Sequence, residues 1–468
     1  MKNLPHALAL CAALAAALPA GADAPSGPAA WRAMSRFGYG PSPSALTAAG
    51  PAWALQQLDL AAAAARAPAT IPAELAGFNA PLTRLYAQFR EERAAQRQVR
   101  AEADAAPPPA ARTYFSRDVA RQAAAWRLAA CSRTDVENPL LARMTEFWFN
   151  HLNVFVGKGA VRPFTGHYAV NAIRPHALGR FEDLLLASAR HPAMLLYLDQ
   201  AQSVAEGAPG GRGLNENYAR ELLELHTLGV NGGYTQTDVR ELARILTGWT
   251  VDPRSDSGFR FAPRLHDGGA KTLLGQRFEA AGVQEGEAAI RLLARHPATA
   301  QRISLRLAQW FVADQPPPAL VQRLAQRYTA TQGDIAAVMR VLIESPETWD
   351  NGNRLFKTPL DYTCSVLAAT GGVQNERELN QALGFLASAG QPLHGWQTPD
   401  GYKTDAATWL SPEALSRRAD FAFAVGRRVD DAATLTAWLA PATRARIAQE
   451  PPRLQAGLAL ASPDYMYK

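Results

Sequence analysis

Lysine is scarce in this sequence. Its 468 residues hold 48 basic side chains, and only Lys2, Lys158, Lys271, Lys357, Lys403 and Lys468 are lysines. The remaining 42 are arginines, scattered through Ala-rich segments without a basic stripe or tail. A nucleic-acid footprint needs such a stripe, so no nucleic-acid partner is expected and the arginines read as compositional background. Cysteine is scarcer still, with three residues that cannot build a disulfide framework. After the first twenty or so residues no apolar run is long enough to cross a bilayer, so no membrane span is expected once a signal is removed. The chain also lacks G-x-S-x-G, a P-loop, a dinucleotide fingerprint and C-x-x-C with metal spacing.

What is present is a large apolar fraction. Hydrophobic residues make up 48% of the chain and the net charge is only +6, which suits an extensive core and opposes disorder. Residues 1–22 read as a signal peptide: Lys2, an apolar stretch over 7–18, Pro19, then Ala20-Gly21-Ala22. The expected location is therefore periplasmic or secreted, by a Sec-type route. Two cysteines remain, Cys131 and Cys364. One bridge and two buried free thiols both stay open.

Ala, Leu, Arg and Glu dominate the rest, and these favour helix. The expected fold is mainly α: a large multi-helix single domain over 23–468, with an exposed Pro-rich loop near 105–111. A small β-hairpin insertion is expected as well. It would pair Phe259-Arg260-Phe261 with a strand near 271–278, across the turn His266-Asp267-Gly268-Gly269.

The most ionisable segment is an expected helix over 214–228. At about 100° per residue it sets Glu216, Arg220 and Glu224 in one row, with Asn217 and Glu221 beside it and His226 in the apolar arc. Such a row is either a solvated face with i,i+4 pairs or a site. Crowded carboxylates push one another's pKa apart and make an acid and a base from one residue type. His151 follows Phe147-Trp148-Phe149-Asn150 on an aromatic helix, where a half-buried structural histidine and an oriented acid/base are both open. The His266–Asp267 turn with Lys271 is a hairpin turn whose His and Lys the turn itself does not require. Trp396, Tyr402 and Trp409, in an irregular segment over 391–412, suit either a stacking wall for a flat ligand or a lid packed on the core.

These segments, in this order, resemble a large bacterial family known as domain of unknown function 1800. The residues carrying the resemblance are Phe147 to His151, His191 to Asp199, Asn215 to Gly229, Gly232 to Thr235 and Leu246 to Trp249. His266-Asp267 with Lys271, and Gln391-Pro392 through Pro412, complete it. The resemblance implies an exported protein, often encoded beside another secreted family with a sulfatase-like look. It implies no stated activity. The family segment usually reads closer to Phe-Trp-His-Asn-His, and this chain has Phe149 at the first histidine.

Together these observations point to an exported enzyme acting by hydrolysis or elimination on a polar polymer such as a glycan. Glu216, Glu224, Glu221, Arg220, His151, His266 and Asp267 are its candidate catalytic groups. Asn217, Lys271, Trp396, Tyr402 and Trp409 are its candidate binding groups. No cofactor is favoured, although Glu221, Glu224 and His226 with His151 would be the ligands of a metal-dependent redox alternative. A non-catalytic envelope protein that binds a co-exported partner is the third reading.

Overall fold

The structure, a computed structural model, describes residues 29–40, 50–103, 114–209 and 213–468. The expected signal segment 1–22, the Pro-rich loop 105–111 and residues 210–212 of the Gly-rich loop lie outside the described residues. The described chain is mainly α-helical, with two small antiparallel sheets of two strands each.

Local chemistry sets many of the helix starts. Asn138 accepts from the amides of Leu140 and Leu141, and Pro139 opens the Pro139–His151 helix. His191 caps the Pro192–Tyr197 helix by accepting from the Ala193 amide. Thr358 caps Pro359–Ala369, and Thr235 with Asp238 forms a capping box on Gln236–Leu246.

The apolar faces of these helices gather into two main clusters. One is built from residues between Phe37 and Ile343 and includes Trp148, Tyr168, Leu222 and Trp249. The other draws mostly on Phe356 to Met466, joined by Trp31, Tyr39, Leu128 and Cys131. A disulfide between Cys131 and Cys364 ties the Phe115–Ser132 helix to the Pro359–Ala369 helix, with the two Cα atoms 5.6 Å apart. The alternative of two free thiols is thereby closed. Asp361 adds a buried crosslink, receiving Arg143 at 2.8 Å and Lys468.

The expected single hairpin is in fact two. Strand β1 (Trp249–Val251) pairs with β2 (Phe259–Phe261), and β3 (Lys271–Leu273) pairs with β4 (Gln276–Phe278). Phe259-Arg260-Phe261 thus faces the strand before it. The 271–278 segment folds back on itself through Leu274-Gly275, both at positive φ (50° and 77°). Two positive φ values match a two-residue turn that keeps the strand twist.

The helix expected over 214–228 is also shorter and differently wound. It is α-helical over Asn217–Glu221 and continues as a π-turn over Leu222–His226. A π-turn is wider than an α-turn, with i→i+5 bonds, so the 100° spacing fails from Leu222 onward.

Candidate functional site

The π-turn splits the acidic row. Arg220 donates to Glu216 at 3.2 Å and to Gln236 at 3.1 Å, and Gln236 donates to Glu216 at 2.7 Å. This is a partly exposed network between two helices. Glu224 has left the row and accepts instead from the Tyr234 hydroxyl at 3.4 Å. Asn217 is exposed and donates to the Leu198 carbonyl at 3.3 Å.

Glu221 turns toward a different set of groups. Burial raises its carboxyl above the usual range, and the charges of Glu224 and Asp400 raise it further. Tyr197 is raised by burial, then by Glu221 and Asp400, which places all three in one neighbourhood. Asp400 moves the other way. Burial opposes its ionisation, yet bonds from Thr398, Trp396 and Lys403 carry it below the usual carboxylate value. Trp396 Nε1 reaches it at 2.9 Å and Lys403 Nζ at 3.1 Å.

The 391–412 segment is held against this site by backbone recognition. Asn150 clamps Tyr402, donating to its carbonyl at 2.9 Å and accepting from its amide at 2.8 Å. Asn153 donates to the carbonyls of Trp396 (3.1 Å) and Thr398 (2.9 Å), and the Tyr197 hydroxyl donates to that of Gln397 (2.7 Å). Gly401 permits the approach: its φ is +70°, and a Cβ there would sit 2.0 Å from the Asn150 carbonyl oxygen. Tyr402 and Trp409 are buried and Trp396 is half-buried, with the Trp396 and Tyr402 rings 4.8 Å apart. The aromatics pack on the core; they are not an open wall.

Two buried histidines lie together, with ring centres 6.4 Å apart. His151 Nε2 donates to the His226 carbonyl at 3.0 Å, which fixes its tautomer and leaves Nδ1 as the bare nitrogen. Burial, and then Arg302, hold His151 well below its ordinary pKa; His226 is pushed to about 3 by the same causes. His226 is fully buried, and neither ring nitrogen has a hydrogen-bond partner. It is a core histidine, but an unsatisfied one.

His266, Asp267 and Lys271 stand apart from this group. Arg244 grips Asp267 through Nε (2.7 Å) and Nη2 (3.1 Å). His266 Nε2 lies 3.0 Å from Glu285, its Nδ1 lies 2.9 Å from the Thr247 carbonyl, and Lys271 Nζ lies 2.7 Å from Glu285. Burial would raise Glu285, but Lys271 and His266 outweigh it and draw the carboxyl down. Each ionisable group of the turn is paired with Arg244 of the Gln236–Leu246 helix or Glu285 of the Val283–Arg295 helix, which ties the second hairpin to both.

Sequence reasoning passed over Arg302, Arg306, Tyr197 and Asp400. Arg302 donates from Nε and Nη2 to the Leu225 carbonyl, at 3.1 and 3.0 Å, tying the Pro297–Phe311 helix to the π-turn. Arg306 lies one turn further along that helix. Their i,i+4 spacing was the available signal, hidden among many arginines.

The pattern that defines one family, described as a protein of unknown function (DUF1800), matches residues 32–467. The chain belongs to that family. The match runs through every segment around the site, from the Asn150 clamp to the docked 391–412 loop. Neither a curated protein nor a solved structure matches the chain. Phe149 is buried between the Arg127 guanidinium (4.6 Å from the ring centre) and the His394 ring (5.0 Å). Among the described residues, no three His, Cys, Asp or Glu side chains are grouped so that they could hold a metal ion.

Proposed function

We propose that this DUF1800 member is an exported enzyme that cleaves a polar polymer, such as a glycan, by acid–base chemistry. Glu221 acts as the acid and Asp400 as the base. One observation carries this reading: two carboxyls in one neighbourhood are driven in opposite directions, Glu221 up by burial and Glu224, Asp400 down by its donors. Divergent carboxyl pairs of this kind are how one residue type supplies both roles near neutral pH. Glu221 would protonate the departing oxygen, while Asp400 would take a proton from water in hydrolysis or from substrate carbon in elimination. Glu216, the first candidate by sequence, is engaged with Arg220 and Gln236 and passes its place to Glu221.

Export is supported by the Cys131–Cys364 bridge, which suits an oxidising compartment. The test is a turnover screen on envelope and plant glycans. Glu221→Gln and Asp400→Asn should each lower turnover by about 100-fold or more. Loss of activity in Glu216→Gln, with both other variants active, overturns the assignment.

A further inference from the structure

Arg306 is an anomaly of charge. It is only partly exposed, yet among the described residues it makes no hydrogen bond and no ion pair. Burial depresses its guanidinium, the neighbouring Arg302 depresses it further, and Asp400 favours its charge. Arg306 grips no carbonyl and no carboxylate, and none of its nitrogens is sealed from solvent, so the guanidinium stands open to a ligand.

Its position says where a partner would sit. Arg302, Arg306 and Trp310 occupy one face of the Pro297–Phe311 helix at i,i+4 spacing. Arg302 marks one end of that face, fixed to the Leu225 carbonyl in the π-turn. Trp310 marks the other, lining a small cavity with Asn150, Asn153 and Tyr402, where its own ring N–H is buried without an acceptor. Arg306 lies one turn from Arg302, whose anchor is the π-turn that follows Glu221, and it feels the charge of Asp400. Arg302 spends Nε and Nη2 on Leu225, which leaves its Nη1 without a bond among the described residues.

We propose that Arg306, assisted by Arg302, is the subsite for a carboxylate carried by the substrate, so that the polymer is a polyuronate and not a neutral glycan. This rests on the acid–base reading of Glu221 and Asp400 and names its substrate class. A guanidinium fork meets a carboxylate through two parallel bonds, and the bound anion would supply the charge that the fold withholds. Arg306 is a binding residue in this scheme and takes no part in proton transfer.

The experiment compares the free protein and its complexes. Calorimetry would measure binding of trigalacturonate and of its uncharged methyl ester, and thermal melting would follow the unliganded chain. The parent protein should favour the charged trimer, and Arg306→Gln should weaken that binding by about 10- to 100-fold with the ester unaffected. Arg306→Lys, which keeps the charge without the fork, should fall between. The unliganded Arg306→Gln variant should melt at the same temperature as the parent, because Arg306 bonds to nothing in the fold; a purely structural arginine would give a lower value. Equal binding of trimer and ester, no binding of either, or Arg306→Gln binding within about twofold of the parent overturns the proposal. Turnover separates the two readings. Arg306-dependent binding without Glu221-dependent cleavage of any polymer sinks the acid–base reading alone. Glu221-dependent cleavage of a neutral glycan, without preference for the charged trimer, sinks the carboxylate subsite alone.

Discussion

Acidification should unfold this protein by way of its histidines. Burial holds seven of them below the ordinary value: His151, His191 and His394 well below, His167 at about 4, His226 at about 3, and the less enclosed His176 and His296. His167 and His191 contact each other directly, Nδ1 to Nε2 at 3.0 Å, and His191 Nδ1 already accepts from the Ala193 amide. The shared proton therefore sits on His191 Nε2, and a proton added to His167 Nδ1 would break the pair. A histidine with a depressed folded pKa is neutral in the native state and charged when unfolded in acid. Its stabilisation is complete above about pH 6.5 and is lost as pH falls toward the folded value. Over the full window His226 would lose about 5 kcal/mol and His167 about 3. Between pH 6.5 and pH 5 His226 and His167 would each lose about 1.6 kcal/mol, and His151, His191 and His394 act in the same direction. Carboxylates held down, such as Asp361, Glu285 and Asp400, act in the same direction but at lower pH, while Glu221 acts weakly against. Urea unfolding at pH 6.5 and pH 5, analysed for midpoint and slope, measures the change. His226→Leu should reduce the pH effect by about one histidine's share. A loss below about 2 kcal/mol across this interval would show that the buried histidines are not neutral as described.

Other consequences are equally direct. Gly401→Ala forces a left-handed φ on a residue with Cβ and drives it into the Asn150 carbonyl. The strain alone costs about 1–2 kcal/mol, and hydrogen exchange should show the 391–412 amides losing protection; unchanged protection contradicts the clamp. Lys271→Met leaves Glu285 buried with one partner fewer, so stability should fall by about 3–5 kcal/mol in denaturant melts, and a change under about 1 kcal/mol argues against a locking role. Reduction of Cys131–Cys364, whose cysteines lie 233 residues apart, should cost about 3–5 kcal/mol. Identical melting with and without reductant would show that the bridge is dispensable.

The helical character was legible because Ala, Leu, Arg and Glu agree over long stretches. The strand pairing was not. Leu274-Gly275 turns the second hairpin with a leucine at positive φ, where sequence signals lead one to look for Asn or Asp. The run from Asp252 to Gly258 is rich in turn residues, and it closes the first hairpin. In the site, His151 and the Glu221–Glu224 pair could be found from local composition. Asp400 could not, because its meaning comes from a loop docked by Asn150 and Asn153, some 250 residues earlier in the chain. Arg302 and Arg306 were masked by the abundance of arginine around them.

The π-turn over Leu222–His226 carries a consequence for phase as well as for shape. It differs from an α-turn by a single inserted residue. Deleting one residue there would convert it to a regular α-turn and rotate the buried Leu222, Leu223 and His226 against the core. It would also swing the Glu221 side of the helix out of phase with the Leu225 carbonyl and the arginine pair. A single inserted residue thus sets the phase between Glu221 and the arginine pair.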